Sequence, residues 1–196
     1  MTETLPAASA DELPLKQLRM TAQASALRDL PEVPLPEGRE LRPYRPGDEP
    51  GWLELLQAAG FEEWDRVRLD AFLEDRGRRE GSRIVAEGKT VVAATFASWT
   101  TLDDVEIGVL DYVASSPEHR GKGLGRAVCT AVTRFLVSRG HPAVTLTTDD
   151  WRLPAIGLYL SMGFVPIMHR EDMPGRWDAI MQQLAIRGPT HGRNRD

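Results

Sequence analysis

Hydrophobic and polar positions divide this chain into three stretches. Up to residue 38 no sustained period stands out. From 39 to 115, short β-rich runs alternate with helical stripes, and beyond 124 the helical stripes lengthen. Arg39–Tyr44 predicts a short strand. Asp48 is placed to cap a helix whose apolar face is Trp52, Leu53, Leu55, Leu56 and Ala59, with Gly60 as its stop. Trp64–Arg78 predicts a second helix through Trp64, Val67, Phe72 and Leu73. Ser82–Glu87 and Thr90–Trp99 read as strands around Gly88-Lys89, a two-residue hairpin signal. Asp103-Asp104 marks a turn, and Val105–Ser115 a longer strand.

After residue 124 the pattern turns helical. Leu124, Ala127, Val128, Ala131, Val132, Phe135 and Leu136 recur at three and four, a buried stripe that Gly140 ends. Ala143–Thr148 predicts a strand, Leu153–Met162 a short helix stopped by Gly163, and Phe164–Met168 another strand. Trp177, Ile180, Met181 and Leu184 give residues 174–186 a helical spacing, although an edge strand over 178–186 also fits. Three consecutive strands favour antiparallel pairing, and the later strand-helix-strand crossover requires parallel neighbours. The fold class is therefore α/β, a mixed, mostly antiparallel sheet with helices on both faces.

Composition bounds the rest. A chain of 196 residues suits one domain. Eight of its 14 prolines fall in the first 50 residues, and the run 30–38 cannot hold a regular helix. Residues 1–38 are read as a tail or linker, with Leu15, Leu18, Met20 and Leu27 able to form a short docking helix. Residues 39–187 form the packed domain, and 188–196 a polar end. The formal charge of −5 speaks against a nucleic-acid partner. No segment reaches the ~20 apolar residues of a membrane span, and the N-terminus carries no signal-peptide pattern. The single cysteine, Cys129, offers neither an internal disulfide nor a metal cluster. These features place the chain in the cytoplasm, without a metal.

Chemistry concentrates where the strand 105–115 runs into Arg120-Gly121-Lys122-Gly123-Leu124-Gly125, which opens the best helix in the chain. Free N–H groups and the dipole at a helix start attract an anion, and glycines let the backbone approach it. Arg120, Lys122 and Arg126 add positive charge in an acidic chain. A pyrophosphate suits this arrangement, and a glycine-rich turn with solvated bases is the alternative. The Walker pattern fails because Gly123 follows Lys122, and the dinucleotide fingerprint fails on glycine spacing.

A second motif follows roughly 30 residues downstream. Ala155, Tyr159, Gly163 and Phe164 give A-x-x-x-Y-x-x-x-G-F after a strand, and Arg120-x-x-Gly123-x-Gly125 gives R-x-x-G-x-G after Val113-Ala114-Ser115-Ser116-Pro117. Paired in this order, the two motifs resemble those of the GNAT superfamily of acetyl-CoA-dependent N-acetyltransferases. The resemblance is strong from 105 to 168 and weak before 80.

The resemblance implies a sheet with a central splay. It implies that backbone groups of Val113, Ala114 and Ser115 pair with the pantetheine arm of acetyl-CoA. The loop Arg120, Gly121, Lys122, Gly123, Leu124, Gly125 and Arg126 would wrap the pyrophosphate. Arg152 stands where many members carry an asparagine toward the cofactor. Tyr159 would face the cofactor sulfur as a protonated acid. A base must take the proton of the attacking amine, and Asp111 and Glu106 are the candidates on the strand. Asp111, two residues before Val113, is expected to share its face. Solvent-facing carboxylates are the alternative for both.

Trp52, Trp64 or Trp99 could wall an acceptor pocket, and the tryptophans as a group are expected mostly in the core. The acceptor is a small-molecule or peptide amine. A homodimer is compatible with this reading. A catalytically weak CoA-binding module and an unrelated phosphate-binding α/β domain are the competing readings.

Overall fold

The computed structural model describes residues 17–187. Its elements are β1 (Leu18–Gln23), α1 (Ala24–Leu27), β2 (Arg39–Pro43), α2 (Glu49–Ala58), α3 (Arg66–Glu74) and α4 (Arg76–Gly81). They continue with β3 (Arg83–Glu87), β4 (Thr90–Leu102), β5 (Val105–Ser115), a 3-10 turn (Pro117–His119), α5 (Leu124–Ser138), β6 (Ala143–Thr148), α6 (Leu153–Ser161), β7 (Val165–Pro166) and α7 (Met173–Arg187). The strands form one seven-stranded sheet in the order β2-β3-β4-β5-β6-β1-β7. All pairs are antiparallel except β5 with β6. The mixed, mostly antiparallel architecture read from the sequence is therefore the one observed.

Two apolar clusters sandwich the sheet. One joins β1 and β6 to Cys129, Val132 and Leu136 of α5, Ile156 and Tyr159 of α6, and Trp177 and Ile180 of α7. The other joins Ile84, Ala94 and Phe96 to Trp52, Leu55 and Leu56 of α2, to Trp64, and to Leu69 and Leu73 of α3. Of the stripe that predicted α5, Leu124, Ala127, Val128, Val132 and Leu136 are buried, Ala131 and Phe135 are half-buried, and Cys129, Thr130 and Thr133 complete the buried face.

Several expectations change. Residues 18–27 belong to the fold instead of a tail. Leu18, Met20 and Ala22 alternate with Arg19, Thr21 and Gln23, and the first three are buried. This period of two makes β1 a strand, not the docking helix, and it pairs with β6 on one side and β7 on the other. Leu15 lies outside the described residues, as do the rest of 1–16 and 188–196. The expected helix 64–78 is broken at Asp75, whose extended backbone (ψ 120°) starts α4 and whose carboxylate accepts from Arg78 N at 2.8 Å. Asp48 does not cap α2 with its side chain. Its carboxylate instead takes two bonds from Arg42 at 2.7 Å each. The strand expected at 164–168 shrinks to Val165–Pro166, because proline cannot donate to a ladder. The last segment is the helix α7. No helix among the described residues is long and apolar enough to cross a membrane.

Candidate active site

The site begins where two parallel strands part. β5 and β6 pair only at Gly108–Val144 and Val109–Thr145. Beyond Val109, β5 keeps its partner β4 on the other side, and β6 runs on against β1. The edge of β5 from Leu110 to Ser115 therefore opens toward a wedge with backbone donors and acceptors along it. This is the splay the resemblance implied, with Val113, Ala114 and Ser115 on its edge.

The glycine loop lies at the mouth of the wedge. Its base is fixed by Ser116 N donating to Val92 O at 2.9 Å, and by His119 Nε2 set 3.0 Å from Glu87 Oε2. Gly121 and Gly123 both take left-handed backbones, with φ of 75° and 77°. A β-carbon at Gly121 would meet nothing within 4 Å, so the open space over the loop is available to a ligand. Gly123 precedes α5 without a side-chain cap, which leaves the first N–H groups facing outward. Arg120, Gly121, Lys122 and Gly123 are exposed, whereas Leu124 is buried and anchors the turn. Arg126 bonds Ser161 Oγ and so ties α5 to α6. A pyrophosphate fits this cradle.

Tyr159 sits at the inner end of the wedge, 5% exposed, with its ring edge-on to Phe164 at 6.1 Å. Burial pushes its phenol well above the ordinary value. The fields of Cys129 and Asp111 add to the rise, and Arg152 opposes it. Burial likewise pushes the Cys129 thiol up to about 12, which keeps it protonated and inert.

Asp111 takes a different orientation from the one expected. The β4–β5 register shifts between Ala94 and Phe96, and Tyr112 adopts φ 46°, a left-handed backbone rare for an aromatic residue. This bulge breaks the period of two. Asp111 lies opposite Phe96 of the aromatic cluster, while Val113 packs against the other apolar cluster. The two residues therefore do not share a face. Burial raises the Asp111 carboxyl to about 6, against the pull of the Tyr112 N–H, Arg78 and Arg68. Its field reaches Tyr159. The pair combines a carboxylate that titrates just below neutrality with a phenol that stays protonated.

Glu106 is not brought into this group. It lies at the far end of β5, about 20 Å along the strand from Val113. Its side chain is 57% exposed, and its neighbour is His141, whose Nδ1 stands 3.3 Å from Glu106 O. Arg152 stands at the start of α6, bonded to Asp149 at 3.1 Å and stacked over Phe61 (4.8 Å) and Trp151 (4.3 Å). Its charge reaches Tyr159.

The core packed against the β4 face that carries Phe96 is aromatic. Phe96 stacks between Trp52 (4.3 Å) and Trp64 (4.6 Å), and Tyr112 meets Trp64 edge-on at 4.9 Å. Trp52 and Trp64 are 0% and 2% exposed, so both lie in the core, as expected of the tryptophans as a group, and neither lines an open pocket wall. Trp151, expected in the core, is 70% exposed. Tyr112, Arg68 and Arg78 escaped the sequence reading. The only sequence signal for Arg68 is its spacing of four from Trp64 within the helix 64–78 that the sequence predicts. A bulge at Tyr112 has no signature in a strand that otherwise alternates.

A splayed parallel pair, a glycine turn opening a helix and a buried tyrosine beside the wedge define the class. The profile of the Acetyltransferase (GNAT) family matches residues 50–164, and the chain belongs to that family. Among curated proteins it is similar to the mycothiol acetyltransferase of Pseudarthrobacter chlorophenolicus, 32% identical over 180 residues, covering 84% of this chain and 51% of that protein. It is also similar to the mycothiol acetyltransferase of Streptomyces bingchenggensis, 34% identical over 158 residues, covering 76% and 50%. The chain spans about half the length of the curated relatives it matches.

Solved structures share the fold at lower identity. A GCN5-related N-acetyltransferase from Sphaerobacter thermophilus superposes with a TM-score of 0.61 at 23% identity, covering 77% of this chain and 48% of that one. A chain of the NatC complex bound to Gag peptide and CoA gives 0.60 at 17% identity, covering 66% and 86%.

Proposed function

We propose that this chain transfers the acetyl group of acetyl-CoA to a primary amine of a small-molecule acceptor by direct attack. The observation that carries the reading is the parting of β5 from β6 beyond Val109, with the left-handed glycine cradle at the mouth of the gap. Bound acetyl-CoA supplies an activated acyl carbon. Residues 113–115 align the pantetheine through their backbone edge, and 120–125 grip the pyrophosphate with N–H groups and charge. An N–H from the same strand end is placed to stabilise the developing oxyanion.

Asp111 accepts the proton of the attacking amine. With its carboxyl titrating at about 6, it is ionised at neutral pH and close to the value best suited to a base. Tyr159 keeps its proton and donates it to the departing thiolate. The kinship with mycothiol acetyltransferases supports a mycothiol-related small molecule as acceptor. We place the reaction in the cytoplasm, where acetyl-CoA and a reduced Cys129 coexist.

The test is calorimetry with acetyl-CoA, followed by thiol release over an amine panel. Saturable micromolar binding and product formation are expected. Failure to bind acetyl-CoA at high micromolar concentration overturns the reading. Tight binding with no product from any amine would instead favour a CoA-binding module.

A further inference from the structure

The helices that flank the aromatic core carry arginines in two different situations. Arg66 on α3 is paired with Asp70 at 2.7 Å, and Arg76 on α4 with Glu80 at 2.6 Å, both toward solvent. Arg68 and Arg78, on the same two helices, have no carboxylate within ion-pair distance among the described residues. They lie instead on rings. The Arg68 guanidinium is 4.7 Å from the centre of Trp64 and 5.9 Å from that of Tyr112, and it donates to Tyr112 Oη at 3.1 Å. Its remaining contact is a long one of 3.5 Å to Glu63 O. The Arg78 guanidinium is 4.7 Å from Phe72 and 5.8 Å from Trp99, and its Nε is buried without a hydrogen-bond acceptor.

The rings they lie on, Trp64 and Phe72, both pack on Phe96, which stands opposite the half-buried Asp111 across the strand pair, and the charge of both acts on its carboxyl. Arg78 is half-buried on its rings, and Arg68 is exposed over Trp64, so both present charge held in place by aromatic faces. A buried donor without an acceptor is costly to the fold unless something supplies one.

We propose that Arg68 and Arg78 form an oxyanion-recognition pair beside the reacting centre, so that the acceptor is a primary amine carrying a carboxylate or phosphate a few bonds from its nitrogen. The inference rests on the acetyl-transfer reading above and narrows its substrate class. Asp111 takes the amine end, and the arginines take the anionic end. A carboxylate or phosphate matches the planar donor fork. A polyamine, by contrast, would bring its second cation against two like charges.

The test measures binding without turnover. The CoA-loaded protein is titrated with N-acetyl-β-alanine and with its amide, and with N-acetylphosphoethanolamine and N-acetylethanolamine, using tryptophan fluorescence. The anionic member of at least one pair is expected to bind ~10-fold or more tightly than its neutral counterpart. Whichever pair shows the larger ratio identifies carboxylate or phosphate. Arg68→Gln and Arg78→Gln should each cut that ratio severalfold, and Arg78→Lys should keep part of it. A merely structural role would weaken both members equally and leave the ratio unmoved. Equal affinities in the wild type, no saturable binding of any of the four, or a ratio unchanged in both glutamine variants overturns the proposal. Loss of acetyl-CoA binding in calorimetry would instead overturn the parent reading, so the two failures are distinguishable.

Discussion

The mouth of the wedge and the aromatic core are built on opposite principles. The loop side, residues 113–126, offers main-chain groups, left-handed glycines and exposed cations over a fixed base. The aromatic core is built from side chains drawn from four elements. Trp52 comes from α2, Arg68 and Phe72 from α3, Phe96 from β4 and Tyr112 from β5, with Trp64 just ahead of α3. A main-chain surface tolerates many sequences and suits a ligand that the whole family shares. A side-chain cluster can be rewritten residue by residue, which makes it the place for selectivity. Asp111 stands where the two meet.

The sharpest way to break this division is at the seam. Asp111→Asn should lower kcat by roughly 100-fold or more while leaving the affinity for acetyl-CoA near the wild-type value. The wild-type rate should rise with pH through about 6 and then level off, as the carboxyl ionises. The variant should lose that step. Glu106→Gln, on the same strand but at its remote end, should leave both rate and profile unchanged. Steady-state kinetics from pH 5 to 8 checks all three, and a retained step in Asp111→Asn would remove the base from Asp111.

Tyr159→Phe should come next, with kcat lower by about 10- to 100-fold and again little change in acetyl-CoA affinity. An acetyl thioester whose thiol is more acidic than that of CoA should rescue much of the loss, because the departing thiolate then needs the acid less. Gly123→Val tests the loop side. Its φ of 77° strains any β-branched residue, and the new β-carbon would also lie 3.7 Å from Val33. Roughly 1–3 kcal/mol of strain converts to a loss of about 5- to 150-fold in acetyl-CoA affinity by calorimetry, with selectivity among acceptors unaltered.

The same contrast explains what the sequence revealed. Gly121, Gly123 and Gly125 announce themselves because only glycine serves a turn that opens a helix, and Tyr159 sits four residues from Ala155 in a recognisable frame. The stripe of α5 and the long strands β4 and β5 were legible for the same reason, as period and punctuation are local. β1 was not recognised, although Leu18, Met20 and Ala22 alternate cleanly. Six residues are too few to stand out beside Pro31, Pro34 and Pro36, and β1 is secured by pairs more than 100 residues away. The aromatic core was half legible. Its tryptophans were candidates, but nothing local reports that Phe96 stacks between Trp52 and Trp64, or that a bulge at Tyr112 turns Asp111 toward them.

The smallest effect is also the one that separates function from folding at the seam. The Asp111 carboxyl titrates at about 6 in the fold, against about 3.9 in an unfolded chain. Below pH 4 both states hold the proton, and the fold suffers no penalty from this group. As pH rises from 4 to 6 the unfolded chain loses its proton first, so stability falls. Above 6 the loss is constant, on the order of 3 kcal/mol. Asparagine mimics the protonated acid and never ionises. Asp111→Asn should therefore be more stable than the wild type at pH 7.5 by about that amount, and the gap should shrink toward zero near pH 4. Denaturant unfolding at the two pH values measures it, with the other carboxylates cancelling in the difference. A variant that is less active yet more stable is what a buried carboxylate retained for chemistry must produce. Equal stability of the two proteins at pH 7.5 would instead place Asp111 in a polar, well-solvated setting and dissolve the seam between the two regions.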